Sequence, residues 1–142
     1  MATYTASNGS YLTTLTVTET NVSVGNNTSA VRYTLTLQRT AGSGYHNSFP
    51  TGPSYYVRIN GATVASGYFT YDFSGYSTQI LTVASGTTSA IVHNSDGSKA
   101  VSCVGYIDMD LSALPTPMTA SGTLTLSTIA RQSKLGTISS FN

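Results

Sequence analysis

The sequence predicts an all-β protein, an antiparallel β-sandwich of about seven to nine short strands with essentially no helix. Apolar and polar residues alternate with a period of two in most segments. Turn signals rich in Gly, Asn, Ser and Pro separate these segments at intervals of roughly 8–12 residues, and no segment has a useful apolar period of 3.6. An antiparallel barrel would produce the same pattern, but uneven strand lengths and one long loop favour two stacked sheets.

The first part of the chain contains two predicted strands, each with one buried face. Met1 to Gly9 is short and polar, and we expect it to be loosely held. The alternation from Ser10 to Val24 predicts the first strand. The turn Gly25-Asn26-Asn27 follows, because Asn and Gly tolerate positive φ. Ala30 to Arg39 shows the cleanest alternation, and its apolar face consists of Val31, Tyr33, Leu35 and Leu37.

A long loop and a hairpin occupy the middle of the chain. Thr40 to Ser54 is rich in Gly, Ser and Pro, and a loop of this length in a compact domain is more often functional or disordered than incidental. Tyr55 to Asn60 predicts a short strand with Val57 and Ile59 inward, closed by the strong hairpin signal Asn60-Gly61. Its partner strand lies at Val64 to Ala65 or a little beyond, and Tyr68 to Phe73 predicts a further strand.

A polar turn precedes the most regular strand of the second half. Gln79 to Ser85 and Ser89 to Val92 predict one or two short strands, interrupted at Gly86. The turn His93 to Lys99 then leads into a strand with small or apolar residues at every second position, namely Val101, Cys103, Gly105, Ile107 and Met109. A lone cysteine cannot form an internal disulfide, so we expect Cys103 to be a buried, inert thiol.

The last strand lies between a proline-containing loop and the exit of the chain. The prolines of Ser112 to Pro117 exclude this segment from a sheet interior. Thr119 to Ser127 resumes the alternation, with Leu124 and Leu126 inward. We expect Ile129 to Lys134 to leave the domain. The predicted organisation is a β-sandwich domain over 1–134 and a C-terminal tail over 135–142, which would begin a further module.

The low charge of the chain restricts its partners. Charged residues make up 8% of the sequence and the formal net charge is +1. The six basic residues form no stripe, so we expect no nucleic-acid partner. We expect no membrane partner and no signal peptide, because no apolar stretch has the length of either segment. Aromatic side chains on an uncharged, hydroxyl-rich surface suit sugars or other proteins, although sheet packing also uses Tyr.

The acidic and histidine residues make a thin inventory for catalysis. His93 and Asp96 lie in one turn, but no Gly-x-Ser-x-Gly sequence supports a Ser-His-Asp site. Asp108 and Asp110 share one face of a strand at about 6.5–7 Å, which suits glycoside hydrolysis or a hard cation as well as a solvated strand face. Zinc and calcium ligand spacings are missing. We therefore predict no enzymatic activity, no metal and no cofactor.

Three segments together resemble a known protein family. They are Asn26-Asn27-Thr28-Ser29-Ala30-Val31, His93-Asn94-Ser95-Asp96-Gly97-Ser98-Lys99 and Leu126-Ser127-Thr128-Ile129-Ala130-Arg131-Gln132-Ser133. They are similar to the N-terminal immunoglobulin-like modules of minor structural, tail-tip and receptor-binding proteins of tailed phages and prophages of Gram-positive bacteria. The family usually has Pro where this chain has Ala130, followed by Arg, and this chain retains that residue as Arg131. The resemblance implies an immunoglobulin-like sandwich in a phage tail, a virion component made in the bacterial cytoplasm.

The expected function is a non-enzymatic structural or adhesion module of the phage tail that assists recognition of a host cell-wall saccharide. Other tail proteins are expected partners, and a homo-oligomer is a further candidate assembly. Aromatic side chains can stack on a sugar and hydrogen-bond to it. On that basis the candidate ligand-binding residues are Tyr45, His46 and Phe49 in the long loop, with Tyr55 and Tyr56 beside it.

Two alternatives remain open. The domain can be a purely architectural spacer or oligomerisation unit, because strand edges rich in Thr suit docking to neighbouring subunits. It can also be part of a cell-wall-degrading enzyme that uses Asp108 and Asp110.

Overall fold

A computed structural model of the protein describes residues 1–8, 11–40, 52–71, 73, 79–109 and 117–130. Within these residues the chain forms nine β-strands and no helix. The strands are β1 (Ala2–Asn8), β2 (Tyr11–Ser23), β3 (Thr28–Arg39), β4 (Ser54–Ile59), β5 (Ala62–Tyr68), β6 (Gln79–Thr87), β7 (Ile91–Val92), β8 (Ala100–Asp108) and β9 (Pro117–Thr125).

The strands form two antiparallel sheets that pack against each other. The first sheet has the order β1-β2-β3-β6, with β7 paired to β3, and the second has the order β5-β4-β8-β9. The chain changes sheet between β3 and β4, between β5 and β6, and between β7 and β8. Connections that alternate between two sheets are typical of Greek-key sandwiches. The predicted all-β antiparallel sandwich is confirmed.

The core lies between the two inner faces and follows the alternation of each strand. From the first sheet it takes Tyr11, Leu15, Val17, Val31, Tyr33, Leu35 and Leu37, and from the second Val57, Ile59, Val101, Cys103, Ile107, Met118, Ala120 and Leu124. Because successive strand residues point to opposite faces, the intervening polar residues form the outer surfaces. The predicted inward positions on β3, β4 and β8 are confirmed.

The N-terminus differs from its prediction. Ala2–Asn8 is strand β1, paired along its whole length with β2 from Ala2↔Val17 to Asn8↔Tyr11. The ring of Tyr4 packs over Gly122 of β9, where a larger residue would collide with it. The expectation that the first nine residues are loosely held is therefore wrong for residues 2–8. The inward face of β1 includes Ala2 and Ala6, whose small side chains produce a weak periodic signal.

Two predicted elements in the middle of the chain also differ. β5 ends at Tyr68, and the predicted strand from Tyr68 to Phe73 does not form in the described residues. The N–H of Phe69 donates instead to the Pro53 carbonyl over 3.0 Å, and the buried Tyr71 and Phe73 fill the core as the chain changes sheet. β6 continues through Gly86 to Thr87, so the interruption before β7 falls at residues 88–90.

The chain remains attached to the sandwich beyond the last strand. Ile129 is 3% exposed, and its N–H donates to the carbonyl of Gly97 over 2.9 Å. The exit predicted from Ile129 onward is therefore wrong at Ile129 itself. The domain end at 134 and the tail 135–142 lie outside the described residues, as do most of the Thr40–Ser54 loop and residues 110–116.

Candidate functional site

The outer face of the second sheet presents an aromatic and basic surface. Along β4 the side chains alternate, so Val57 and Ile59 enter the core while Tyr56 and Arg58 point outward. The register places Tyr56 directly opposite Tyr106 of β8. Their rings are stacked, with centroids 4.7 Å apart and an interplanar angle of 10°.

Arg58 extends this stack along β4. Its guanidinium carbon lies 4.4 Å from the centroid of the Tyr56 ring. Its Nε donates a hydrogen bond to Thr63 Oγ1 of β5 over 3.2 Å. The guanidinium is therefore held between an aromatic ring on its own strand and a hydroxyl on the neighbouring strand.

An open depression of about 470 Å³ lies over the β4–β5 hairpin. Its lining is aromatic, hydroxylated and basic, and consists of Ser54, Tyr55, Tyr56, Arg58, Thr63, Ser66, Gly67 and Tyr68. Tyr68 is 70% exposed at the end of β5. The depression therefore offers an exposed phenol ring next to hydroxyl groups, a combination that suits ligands with both apolar and hydroxylated faces.

The sequence-predicted site residues fall into two groups. Tyr45, His46 and Phe49 lie outside the described residues. Tyr55 and Tyr56 both line the depression, although they belong to opposite faces of β4. Tyr55 packs edge-on against Phe69 at 6.3 Å, next to the core, whereas Tyr56 stands on the outer face.

Sequence reasoning missed Tyr68, Arg58 and Tyr106. The positions of Tyr56 and Arg58 two residues apart on a strand were a signal for a shared face. Tyr68 was assigned to a strand that does not form. The pairing with Tyr106 depends on the register of β4 against β8, which no local pattern reveals.

A second polar cluster lies at one end of the sandwich, around the buried His93. Its Nδ1 is 2.8 Å from the carbonyl oxygen of Gly97, and its Nε2 is 2.7 Å from Ser29 Oγ. Glu19 Oε2 lies 3.9 Å from the same Nε2. Both carboxylate oxygens of Glu19 also accept hydrogen bonds from Ser127, from its N–H over 2.8 Å and from its hydroxyl over 3.1 Å.

This cluster joins the three segments that carry the family resemblance. Asn27, in the first segment, donates from Nδ2 to the backbone carbonyls of His93 and Asn94. Its backbone carbonyl accepts the N–H of His93 over 2.9 Å. Gly97 in the second segment accepts the N–H of Ile129 in the third. Segments distant in the sequence therefore form one hydrogen-bonded network.

The Ser29–His93 pair has the spacing of a nucleophile and its base, for which about 2.6–3.2 Å is usual. However, Ser29 is 1% and His93 4% exposed, so no substrate reaches either side chain in this conformation. Asp96, the third member of the Ser-His-Asp arrangement that no sequence motif supported, accepts the N–H and hydroxyl of Ser98 at Oδ1. The network around His93 is thus a structural one.

The carboxylate Glu19 and the phenol Tyr106 have shifted pKa values. Burial raises the pKa of Glu19, but hydrogen bonds from Ser127 and Ser29 and the neighbouring His93 outweigh it, so the pKa lies below its usual 4.5. Burial, with the nearby Asp108 and Tyr56, raises the pKa of Tyr106. Tyr106 therefore stays neutral in the stack at physiological pH.

The described residues contain no group of His, Cys, Asp and Glu side chains that could hold a metal ion. Asp108 ends β8, half-buried, while Asp110 lies outside the described part of the chain, so the shared strand face predicted for them stays a prediction. None of the described residues belongs to a helix able to cross a membrane.

Fold and surface together define an all-β sandwich with an aromatic, hydroxylated depression on one sheet. The model of a family described as "Siphovirus protein of unknown function (DUF859)" matches residues 1–140, and the chain belongs to this family. No curated protein and no solved structure matches the chain significantly. The membership confirms the predicted phage origin.

Proposed function

We propose that this chain is a non-enzymatic structural and adhesion module of a phage tail, an immunoglobulin-like domain that helps the virion recognise a saccharide of its Gram-positive host's cell wall. Membership of a siphovirus family supports a role in the virion. The changes of sheet along the chain support the immunoglobulin-like arrangement. A net charge of +1 and a hydroxyl-rich surface favour adhesion without non-specific charge binding.

The observation that carries the saccharide proposal is the exposure of Tyr68 above the depression. Its ring is 70% exposed beside the hydroxyls of Ser54, Thr63 and Ser66. A sugar has an apolar C–H face and a rim of hydroxyl groups. The C–H face stacks on a phenol ring, and the hydroxyl groups exchange hydrogen bonds with Ser and Thr side chains.

The test is co-sedimentation of the purified protein with cell walls from streptococci and other Gram-positive bacteria. We expect the wild type to bind, and Tyr68→Ala to weaken binding about tenfold, which corresponds to the roughly 1.4 kcal/mol of one aromatic contact. Val92→Ala is the matched control, because Val92 is 67% exposed on the other sheet. Absence of wild-type binding, or equal binding by the Tyr68 and Val92 variants, would refute the proposal.

The long loop extends this proposal. Tyr45, His46 and Phe49 remain predicted contacts, since the loop joins β3 to β4 and so ends beside the residues that line the depression. The double variant Tyr45→Ala/Phe49→Ala tests them in the same sedimentation assay. Full binding by this variant would restrict the site to the hairpin.

A second candidate function is a purely architectural spacer. The observation in its favour is the anchorage of the exit, where Ser127 binds Glu19 and Ile129 binds Gly97. These bonds hold the chain against the sandwich after its last strand, so they set the direction in which it leaves the domain. Size-exclusion chromatography with light scattering separates the candidates, because a stable trimer or larger assembly without affinity for cell walls would favour architecture.

A further inference from the structure

We infer that the ligand of the β4–β5 depression is an anionic saccharide, whose phosphate or carboxylate group binds Arg58. This inference rests on the proposed function, because it specifies the chemistry of the ligand at that same site. The shared chemistry is a planar or tetrahedral oxyanion attached to a sugar polymer. It goes beyond the stacking argument, which applies equally to neutral sugars.

The position of the Arg58 guanidinium is the first argument. Its central carbon lies over the Tyr56 ring, 4.4 Å from the centroid, and Nε donates to Thr63 Oγ1. In the part of the chain that the structure describes, the terminal nitrogens have no hydrogen-bond partner. Arg binds oxyanions through two parallel N–H donors, and a guanidinium already held in place loses less conformational entropy on binding.

The charge around the depression is the second argument. Arg58 is the one charged side chain among the eight described residues that line the depression. The nearest acidic residue in the register is Asp108, which lies opposite Ser54, whereas Arg58 lies opposite Val104. Four residues of strand separate these two positions, or about 13 Å. Among the described residues, the register therefore places no carboxylate opposite the Arg58 guanidinium, and its charge is available to a ligand.

The presence of Arg58 and Tyr68 in one depression is the third argument. Both line the same depression, one as a fixed cation and the other as an exposed ring. Tyr68 lies opposite Ser54, four residues or about 13 Å along β4 from Arg58. A saccharide with its oxyanion on Arg58 therefore reaches the phenol face with a sugar ring further along the polymer. A simple anion contacts only Arg58, and a neutral sugar contacts only Tyr68. An anionic saccharide is therefore the ligand that contacts both.

The experiment titrates the full chain with three oligomers of matched length: N-acetylglucosamine, galacturonate, and N-acetylglucosamine 1-phosphate. Calorimetry measures affinity at low and high salt, and the Nε–H resonance of Arg58 reports the contact directly. We expect at least one anionic oligomer to bind about tenfold more tightly than the neutral one and to shift that resonance. Salt should weaken anionic binding, because the site is exposed. Preference between the two anionic oligomers identifies phosphate or carboxylate.

Two variants make the test specific to Arg58. Arg58→Gln should reduce anionic binding to the level of the neutral oligomer, and Arg58→Lys should restore part of it, since an ammonium lacks the bidentate geometry. Arg32→Gln is the matched control, an exposed arginine on the outer face of the other sheet. Circular dichroism and thermal unfolding confirm that each variant folds.

The outcomes separate this inference from the proposed function. If the neutral oligomer binds as tightly as the anionic ones and Arg58→Gln changes nothing, while Tyr68→Ala still weakens binding, the inference is wrong and the proposed function stands. If no oligomer binds and cell walls do not bind either, both are wrong. Equal losses from Arg58→Gln and Arg32→Gln would indicate non-specific charge attraction and would also overturn the inference.

Discussion

Ser29 Oγ lies 2.7 Å from His93 Nε2 at the buried end of the sandwich. On the other side of the ring, Nδ1 lies 2.8 Å from the carbonyl oxygen of Gly97, which can only accept a hydrogen bond. Nδ1 therefore carries a proton and donates to that carbonyl, while Nε2 is hydrogen-bonded to the Ser29 hydroxyl. The imidazole thus joins β3 to the turn His93 to Lys99 that precedes β8.

Removing the Ser29 hydroxyl should destabilise the fold. Ser29→Ala leaves a buried imidazole nitrogen without its partner, and the cost of such an unsatisfied group is about 1–3 kcal/mol. Urea unfolding monitored by tyrosine fluorescence measures the change in free energy of unfolding. The control is Ser85→Ala, an exposed serine on β6, which should stay within about 0.5 kcal/mol of the wild type. Equal stability of the two variants would contradict the structural role of the Ser29–His93 bond.

The contribution of Glu19 should depend on pH in a defined direction. Its pKa in the folded protein lies below the usual 4.5: burial raises it, but the hydrogen bonds from Ser127 and Ser29 and the proximity of His93 lower it by more. The ionised carboxylate is thus favoured more by the folded state than by the unfolded state. Its stabilisation is fully present above pH 4.5 and is lost as pH falls through the lower folded pKa.

Glu19→Gln tests this dependence. The variant should be less stable than the wild type near pH 7, and the difference in urea midpoint should shrink as the pH falls below about 4.5. Midpoints measured from pH 7 to pH 3 reveal the trend. A difference that stays constant over this range, or grows toward low pH, would show that the charge of Glu19 contributes nothing to the network.

Gly97 should not tolerate any side chain. Its φ is +87°, a region that costs a residue with a Cβ roughly 1–2 kcal/mol, and an added Cβ would collide with the backbone carbonyl of Ile129. Gly97→Ala should therefore lower the melting temperature. It should also weaken the hydrogen bond from the Ile129 N–H to the carbonyl of residue 97. Gly25→Ala is the matched control in a turn, because nothing lies within 4 Å of its added Cβ. Amide hydrogen exchange at Ile129 measures that bond. Exchange as slow in Gly97→Ala as in the wild type would contradict the prediction.

Cys103 should resist thiol reagents while the protein is folded. It is fully buried on the inner face of β8, and burial raises the pKa of its thiol despite a hydrogen bond from the backbone of Leu124 that lowers it. A disulfide reagent at pH 8 should label it only in urea, because the thiolate is the reactive form. The control cysteine is Thr87→Cys at an exposed position of β6. Native Cys103 that reacted as fast as this control would contradict its burial.

Much of the architecture was predictable because strand periodicity is local. The alternation from Ala30 to Arg39 predicted which side chains of β3 enter the core, and Asn60-Gly61 predicted the β4–β5 hairpin, whose two turn residues have φ values of +57° and +80°. A period of two assigns every second residue to the buried face once one face is known to be buried. The same reasoning failed at β1, whose Ala side chains produce little contrast.

The candidate site was predictable only in part. The prediction placed Tyr55 and Tyr56 near a contact surface, and both line the depression. It missed Tyr68 and Arg58, because neither position stands out from its neighbours along the chain. Their importance comes from a fixed guanidinium and an exposed ring in one depression, which is a property of the β4–β5 pairing.

Local sequence patterns were enough to predict the fold class, the strand faces of β3, β4 and β8, and the turns, because these depend on neighbouring residues and on the φ values that Asn and Gly allow. The stacking of Tyr56 on Tyr106 and the bond between Ser29 and His93, 64 residues apart, became visible only in the folded structure. Such contacts follow from strand register and from the stacking of two sheets. Both are set by the packing of the whole core, and no short segment contains that information.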